Sequence, residues 1–203
     1  MKSKYFNIKF ICVFLLSLHI SATKIEAKNT LLTNAIIHTI SGPTYSPGFV
    51  LIDGDKIKSV GPAEEQPQLK NIETINLKKQ HLFPGIIATT TALGLMEIAA
   101  VRATVDTNEV GTYTPEVKSW IAINPDSELI PVSRANGITH FLPTPQGGTI
   151  AGQSGLMRTV GWGYENMTHK PSVALHLYWP QMNINPSAED SKKQITARDK
   201  KLK

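Results

Sequence analysis

Residues 83–95 read Phe83-Pro84-Gly85-Ile86-Ile87-Ala88-Thr89-Thr90-Thr91-Ala92-Leu93-Gly94-Leu95, and the reading of this stretch decides the fold class. The Pro-Gly pair punctuates the chain, because proline fixes its own φ and glycine reaches conformations closed to other residues. Adjacent Ile86 and Ile87, followed by β-branched threonines, predict a strand buried on both faces, as in a parallel sheet. Further on, Ile130 to Asn136 predicts a helix that stops at Gly137. Pro131 must lie in its first turn, since an interior proline costs about 3 kcal/mol. Ile138-Thr139-His140-Phe141-Leu142-Pro143 predicts the next strand. Strand, helix, glycine, strand is the signature of a βαβ unit and of an α/β fold.

The segment before Phe83 has a different rhythm. Leu31 to Ile40 is rich in Ile and Thr, Phe49-Val50-Leu51-Ile52 is a short apolar run, and Lys56 to Val60 and Ile72 to Leu77 alternate. Asp53-Gly54-Asp55 marks a tight turn. We read Leu31–Leu82 as a small antiparallel sheet. After the strand at Phe83, Thr114-Pro115-Glu116 predicts a helix start, with Thr114 as cap and Pro115 at the first position. Asn124 to Ser127 is a turn. Gln146 to Gly155 is glycine-rich and reads as a loop; no Gly-Lys-Ser/Thr follows, so it is not a phosphate-binding loop. Ser172 to Trp179 reads as a further strand. Glu189 to Lys203 is charged and opens a solvated helix, with Ser187 as its cap.

The chain has 203 residues, 41% hydrophobic and 18% charged, which fits a globular protein with a real core. A complete eight-stranded α/β barrel takes roughly 250 residues. The pI of about 9.3 arises mainly from lysines and arginines at the two ends. Between Lys28 and Ala188 the charge is close to balanced, and no basic stripe for nucleic acid is present. Residues 1–27 read as a secretory signal: Lys2, Lys4 and Lys9 precede an apolar run from Phe10 to Ala22, with cleavage after Ala22 or Ala27. The run is shorter than the about 20 residues that span a bilayer. The expected location is secreted or periplasmic, with no stable membrane span after cleavage; an uncleaved anchor is the alternative. Cys12, the only cysteine, lies inside that run, so the mature chain has neither disulfides nor thiol chemistry.

Several pieces in order resemble one secreted, imidazolonepropionase-like branch of the amidohydrolase superfamily. They are Leu51 to Gly61, Pro84-Gly85-Ile86-Ile87, Ala122 to Glu128 with Arg134 to Thr139, and Gly147 to Ser154. The first barrel strand of that superfamily reads Pro-Gly-(Leu/Ile)-Ile-Asp-x-His-x-His-x-Gly. Pro84, Gly85, Ile86, Ile87 and Gly94 match it, while Ala88, Thr90 and Ala92 replace the acid and the two histidines. The resemblance implies a metal-dependent hydrolase (β/α)8 barrel joined to a small composite β-sandwich, with only the N-terminal part of the barrel in this chain. It divides the chain into a signal peptide (1–27), a sandwich segment (28–82), the first part of the barrel (83–186) and a truncated charged helix (187–203). The family's cofactor is a divalent metal of zinc type, which activates water. No metal and no cofactor are expected on Thr90 and Ala92.

Among other residues, Asp106 and Glu109 could line a pocket as acid and base, although such residues commonly cap turns. His140 lies in the second barrel strand, where the family takes no ligand, and reads as a packed or rim histidine. Gly152-Gln153-Ser154 begins like a nucleophile elbow, but Leu156 replaces the last glycine, so Ser154 reads as a loop serine. Trp162, Tyr164, Tyr178 and Trp179 read as core. By resemblance the full-length protein hydrolyses a non-peptide C–N bond of an amide or cyclic amide, and this chain alone is inactive. The alternatives are a non-catalytic barrel binding a small molecule or partner, with a companion segment completing the barrel as a further expected partner, and a truncated fragment without function.

Overall fold

The computed structural model describes residues 29–179, 182–184 and 191–201. The expected signal at residues 1–27, Cys12 and the cap at Ser187 lie outside the described residues. The chain divides into two compact units between Pro84 and Gly85, and its architecture is α/β with sheet predominating.

The first unit is a five-stranded sheet of β1 (Thr30–His38), β2 (Thr44–Asp53), β3 (Lys56–Pro62), β4 (Glu73–Asn76) and β5 (His81–Leu82). Its order is β3-β2-β1-β4, with β5 also on β1. The hairpins β1–β2 and β2–β3 are antiparallel, the second turning at Gly54 and Asp55. The expected all-antiparallel sheet is corrected at β4 and β5, which run parallel to β1. A connection of ten or more residues separates β3 from β4, long enough to bring the chain back in the same direction, which a tight hairpin cannot do. Gly48 to Leu51 on β2 are all buried. Because successive side chains face opposite ways, Phe49 and Leu51 join Leu31 in one cluster, and Val50 joins Ala35 and Ile37 in another.

The second unit holds a four-stranded sheet in the order β6-β7-β8-β9, comprising Ile86–Thr91, Ile138–Pro143, Ile150–Arg158 and Thr168–Leu177. Helix α1 (Leu129–Ala135) connects β6 to β7, which lie parallel, so the βαβ unit is present. Ser127 Oγ accepts from the Leu129 N–H and caps α1, and Pro131 sits in its first turn. Strand β8 adds to β7 antiparallel, and β9 adds to β8 antiparallel. A short helix α2 (Gly163–Met167) joins β8 to β9, and the charged α3 spans Ser191–Lys201. The core comprises Leu93, Leu95, Trp120, Ile123, Ile130, Phe141, Met157 and Met167.

Four expectations change here. Ile86 and Ile87 are 57% and 50% exposed, because β6 is an edge strand paired only with β7 among the described residues. The helix start at Thr114 is instead a single turn. Thr114 directs both its N–H and its hydroxyl to the Ile150 carbonyl, and the chain is then drawn along β8 through Lys118 and Gln153. Trp162 and Trp179 are 75% and 78% exposed rather than core, whereas Tyr164 does pack against the core. The glycine-rich stretch is a loop only as far as Thr149; from Ile150 it is strand β8, buried along most of its length.

The glycines explain that last change. A Cβ on Gly152 would lie 2.8 Å from Val117 Cβ and 2.8 Å from the Val117 carbonyl oxygen, and one on Gly155 would lie 3.0 Å from the Trp120 ring. Glycine here makes room for the segment that crosses the strand. Gly152→Ala adds a clash to a φ of +121° and should cost about 1–3 kcal/mol from overpacking alone. Gly137 also has positive φ, at +90°, but a Cβ there meets nothing within 4 Å. Gly137→Ala should therefore cost measurably less, a ranking that urea unfolding of the two variants checks.

Candidate functional site

The positions singled out on β6 lie at its end. Thr90 is exposed, next to last in the strand, and Ala92 opens the turn that follows, closed by Leu95 N–H to Ala92 O at 2.8 Å. Zinc-type sites take imidazole, thiolate or carboxylate ligands. Thr90 offers a neutral hydroxyl and Ala92 a methyl group, so these residues do not fit such an ion. No group of three His, Cys, Asp or Glu able to hold a metal occurs among the described residues.

A cleft of about 420 Å³ opens in the second unit, lined among others by Asp106, Glu109, Glu116, Lys118, Ser119 and Pro145. It exists because residues 92–128 run as a long irregular excursion pinned at intervals to the sheet. Asp106 N–H donates to Leu95 O at 2.7 Å, and Gln146 N–H to Thr107 O at 2.7 Å. At the floor, the buried Ser119 hydroxyl lies within reach of the Pro143 and Gln153 carbonyls. The structure thus brings Asp106 and Glu109 to one cleft and adds Glu116 and Lys118, which sequence reading did not single out. All four are solvent-exposed. Three carboxylates beside one ammonium can orient a polar or cationic group and exchange protons with it.

His140 stands apart from this cleft, half-buried on β7. Its ring meets that of His169 edge-on, with centroids 5.2 Å apart. Burial lowers its pKa, and the positive fields of His169 and then Arg158 lower it further. Ser154 is not the loop serine expected. It is fully buried in β8, and its hydroxyl lies 2.8 Å from His176 Nε2 on β9. Burial lowers the His176 pKa as well. A serine with no exposed surface cannot reach a substrate as a nucleophile, so this pair ties β8 to β9. Sequence spacing could not reveal it, because the partners lie on different strands.

No protein-family model matches the chain, and no curated protein matches it. Its structure superposes on that of an amidohydrolase from Thermotoga maritima MSB8 with a TM-score of 0.67 and 24% identity, covering 84% of this chain and 42% of that one. The chain thus spans less than half the length of the protein it superposes on. Shorter superpositions add nothing to this. One is on a prolidase complexed with N-methylphosphonate-L-proline, with a TM-score of 0.30 and 21% identity over 34% of this chain and 17% of that chain. Another is on molinate hydrolase, with a TM-score of 0.29 and 18% identity over 34% and 15%. The resemblance to amidohydrolases is borne out at the level of the fold: the chain has the fold of part of an amidohydrolase.

Two outcomes are expected. His176→Leu leaves the buried Ser154 hydroxyl without its partner and should cost about 1–3 kcal/mol. Adding Ser154→Ala should recover part of that loss, a coupling that a double-mutant cycle in urea measures. The second outcome concerns pH. His140 and His176 have folded-state pKa values below the ordinary 6.5, so below about pH 6.5 the unfolded chain binds more protons than the native one. Their contribution is fully present above pH 6.5 and is lost as pH falls through the folded-state values. The urea midpoint should therefore drop between pH 7.5 and 5.5, and drop less in His176→Asn.

Proposed function

We propose that this chain is the first part of an amidohydrolase-type (β/α)8 barrel, preceded by one layer of a composite β-sandwich, in an exported protein that is secreted or periplasmic. On this reading the whole protein hydrolyses a non-peptide C–N bond in an amide or cyclic amide. The observation that supports it is the fold shared with an amidohydrolase over most of this chain. The parallel β6–α1–β7 unit leading into the cleft is compatible with a barrel, whose active sites form beyond the C-terminal ends of parallel strands. Ala88, Thr90 and Ala92 supply no metal ligand, so no step of hydrolysis runs through them. The role left to this chain is to shape one wall of the site. Asp106, Glu109, Glu116 and Lys118 would hold polar groups of a substrate and exchange protons with them, and Ser119 would fix the floor. Taken alone, the 203 residues are inactive.

One observation favours a second reading. A barrel strand that ends in Thr90 and Ala92 suits a protein that binds a small molecule or partner without turning it over.

Two measurements decide between them. The intact mass of the native protein from its own cells comes first. The hydrolase reading expects a mass roughly twice that of residues 28–203, as a complete barrel with its sandwich would need. That native protein and the recombinant 203-residue chain are then given a panel of amides and cyclic amides, with product release followed by mass spectrometry. Turnover by the native protein alone is expected. Turnover by the short chain would overturn the claim that it is inactive. Saturable binding without turnover by the native protein would select the binding reading.

A further inference from the structure

The sheet of the second unit carries a second constellation, away from the acidic cleft. Phe141 and Met157 are paired across β7 and β8 and are fully buried in the core. Their neighbours His140 and Arg158, paired in the same register, therefore point to the opposite face. His169 on β9 reaches the same place, since its ring lies edge-on against that of His140. Three nitrogen-bearing side chains from three successive strands thus share one patch. Arg158 is exposed and forms no ion pair among the described residues.

Among the described residues, the neighbouring elements supply no free negative charge to balance them. Strand β6, on the other side of His140, has the sequence Ile-Ile-Ala-Thr-Thr-Thr and no titratable group. Strand β9 adds Lys170 beside His169. Arg134 of α1 is occupied with the Thr159 carbonyl at 2.7 Å, and Glu165 of α2 is engaged with the Tyr164 hydroxyl. An unpaired guanidinium beside two imidazoles is suited to an anion that can accept several N–H bonds at once.

Burial and the positive fields of His169 and Arg158 oppose a charge on His140, and an entering anion offsets those fields. The Thr139 hydroxyl is directed to Ile86 O at 3.4 Å, and His140 Nδ1 lies 3.1 Å from the same hydroxyl oxygen. With the Thr139 proton directed to Ile86, its oxygen is free to accept from Nδ1–H. His140 Nε2–H then remains as a donor toward the patch.

We propose that His140, Arg158 and His169 form a binding site for a small oxyanion, either a phosphate group or the carboxylate of a small acid. Arg158 presents its fork to two oxygens, and His140, whose proton burial and the positive fields of His169 and Arg158 oppose, gains one as the anion enters. Binding therefore strengthens as pH falls toward the histidine range. The site stands whether or not the whole protein is a hydrolase, because none of its residues lines the Asp106 cleft.

The test is a histidine-resolved NMR titration of the full chain near pH 6.5 with inorganic phosphate, and separately with acetate, each against chloride at equal ionic strength. The expected result is a saturable shift of the His140 and His169 ring protons, with the His140 titration midpoint raised and His176 unmoved. Saturation by phosphate alone, or by acetate alone, identifies which oxyanion the site takes. Arg158→Gln, an exposed change with the fold checked by circular dichroism, should weaken binding at least about tenfold. Shifts that do not saturate with either anion, or that are the same in Arg158→Gln, would overturn the site.

Discussion

The second unit is organised by the close approach of residues 117–120 to strand β8. Val117 lies against Gly152 and Trp120 against Gly155, at distances that leave no room for a Cβ. This contact does two things at once. It seats the Trp120 indole in the core beside Phe141 and Met157. It also holds the long excursion 92–128 down on the sheet, where its backbone groups at Thr107, Thr112 and Thr114 pair with Gln146, Thr149 and Ile150 rather than with water. The cleft is a consequence: its walls are the two flanks of that excursion, and its floor is Ser119 beneath β8 and Pro143.

Charge is distributed over this unit by the same strand geometry. The cleft collects Asp106, Glu109 and Glu116 around a single lysine. The strand face opposite the core collects His140, Arg158 and His169. A chain close to neutral between its ends thus carries two local fields of opposite sign. A field of that kind bears on what a surface recognises, and net charge does not disclose it.

Elements whose signal is local were legible in the sequence. The strand Ile138–Pro143, the helix capped at Ser127 and the turn at Asn124 were read from apolar runs and breakers that act over a few residues. What escaped depends on partners distant in sequence. The parallel pairing of β4 and β5 with β1 is invisible to alternation, which tells strand from helix and not direction. Ile150 to Gly155 continues a stretch with the composition of a loop, and only the approach of Val117 to Gly152 and Trp120 to Gly155 shows why a buried strand needs glycine there. Of the site, Asp106 and Glu109 stood out as a polar loop. Glu116 and Lys118 did not, because the turn that delivers them was read as a helix start.

The motif at Phe83 separates into two kinds of residue, and the structure assigns each kind its role. Those that match the amidohydrolase pattern serve the backbone. A Cβ on Gly85 would lie 2.2 Å from Thr139 Cγ2, so glycine is what lets β6 lie against β7. Gly94 holds a φ of +76° with its carbonyl accepting from Asn124 N–H at 2.7 Å, which returns the chain toward α1. The residues that depart from the pattern, Ala88, Thr90 and Ala92, sit where a side chain would do chemistry and where the backbone demands nothing of it. Ala88 packs against the core, Thr90 is open to solvent, and Ala92 contributes a carbonyl to a turn. The path of such a strand does not depend on which side chains stand at those positions. The fold likeness therefore argues strongly for where the chain goes and only weakly for what happens at its end.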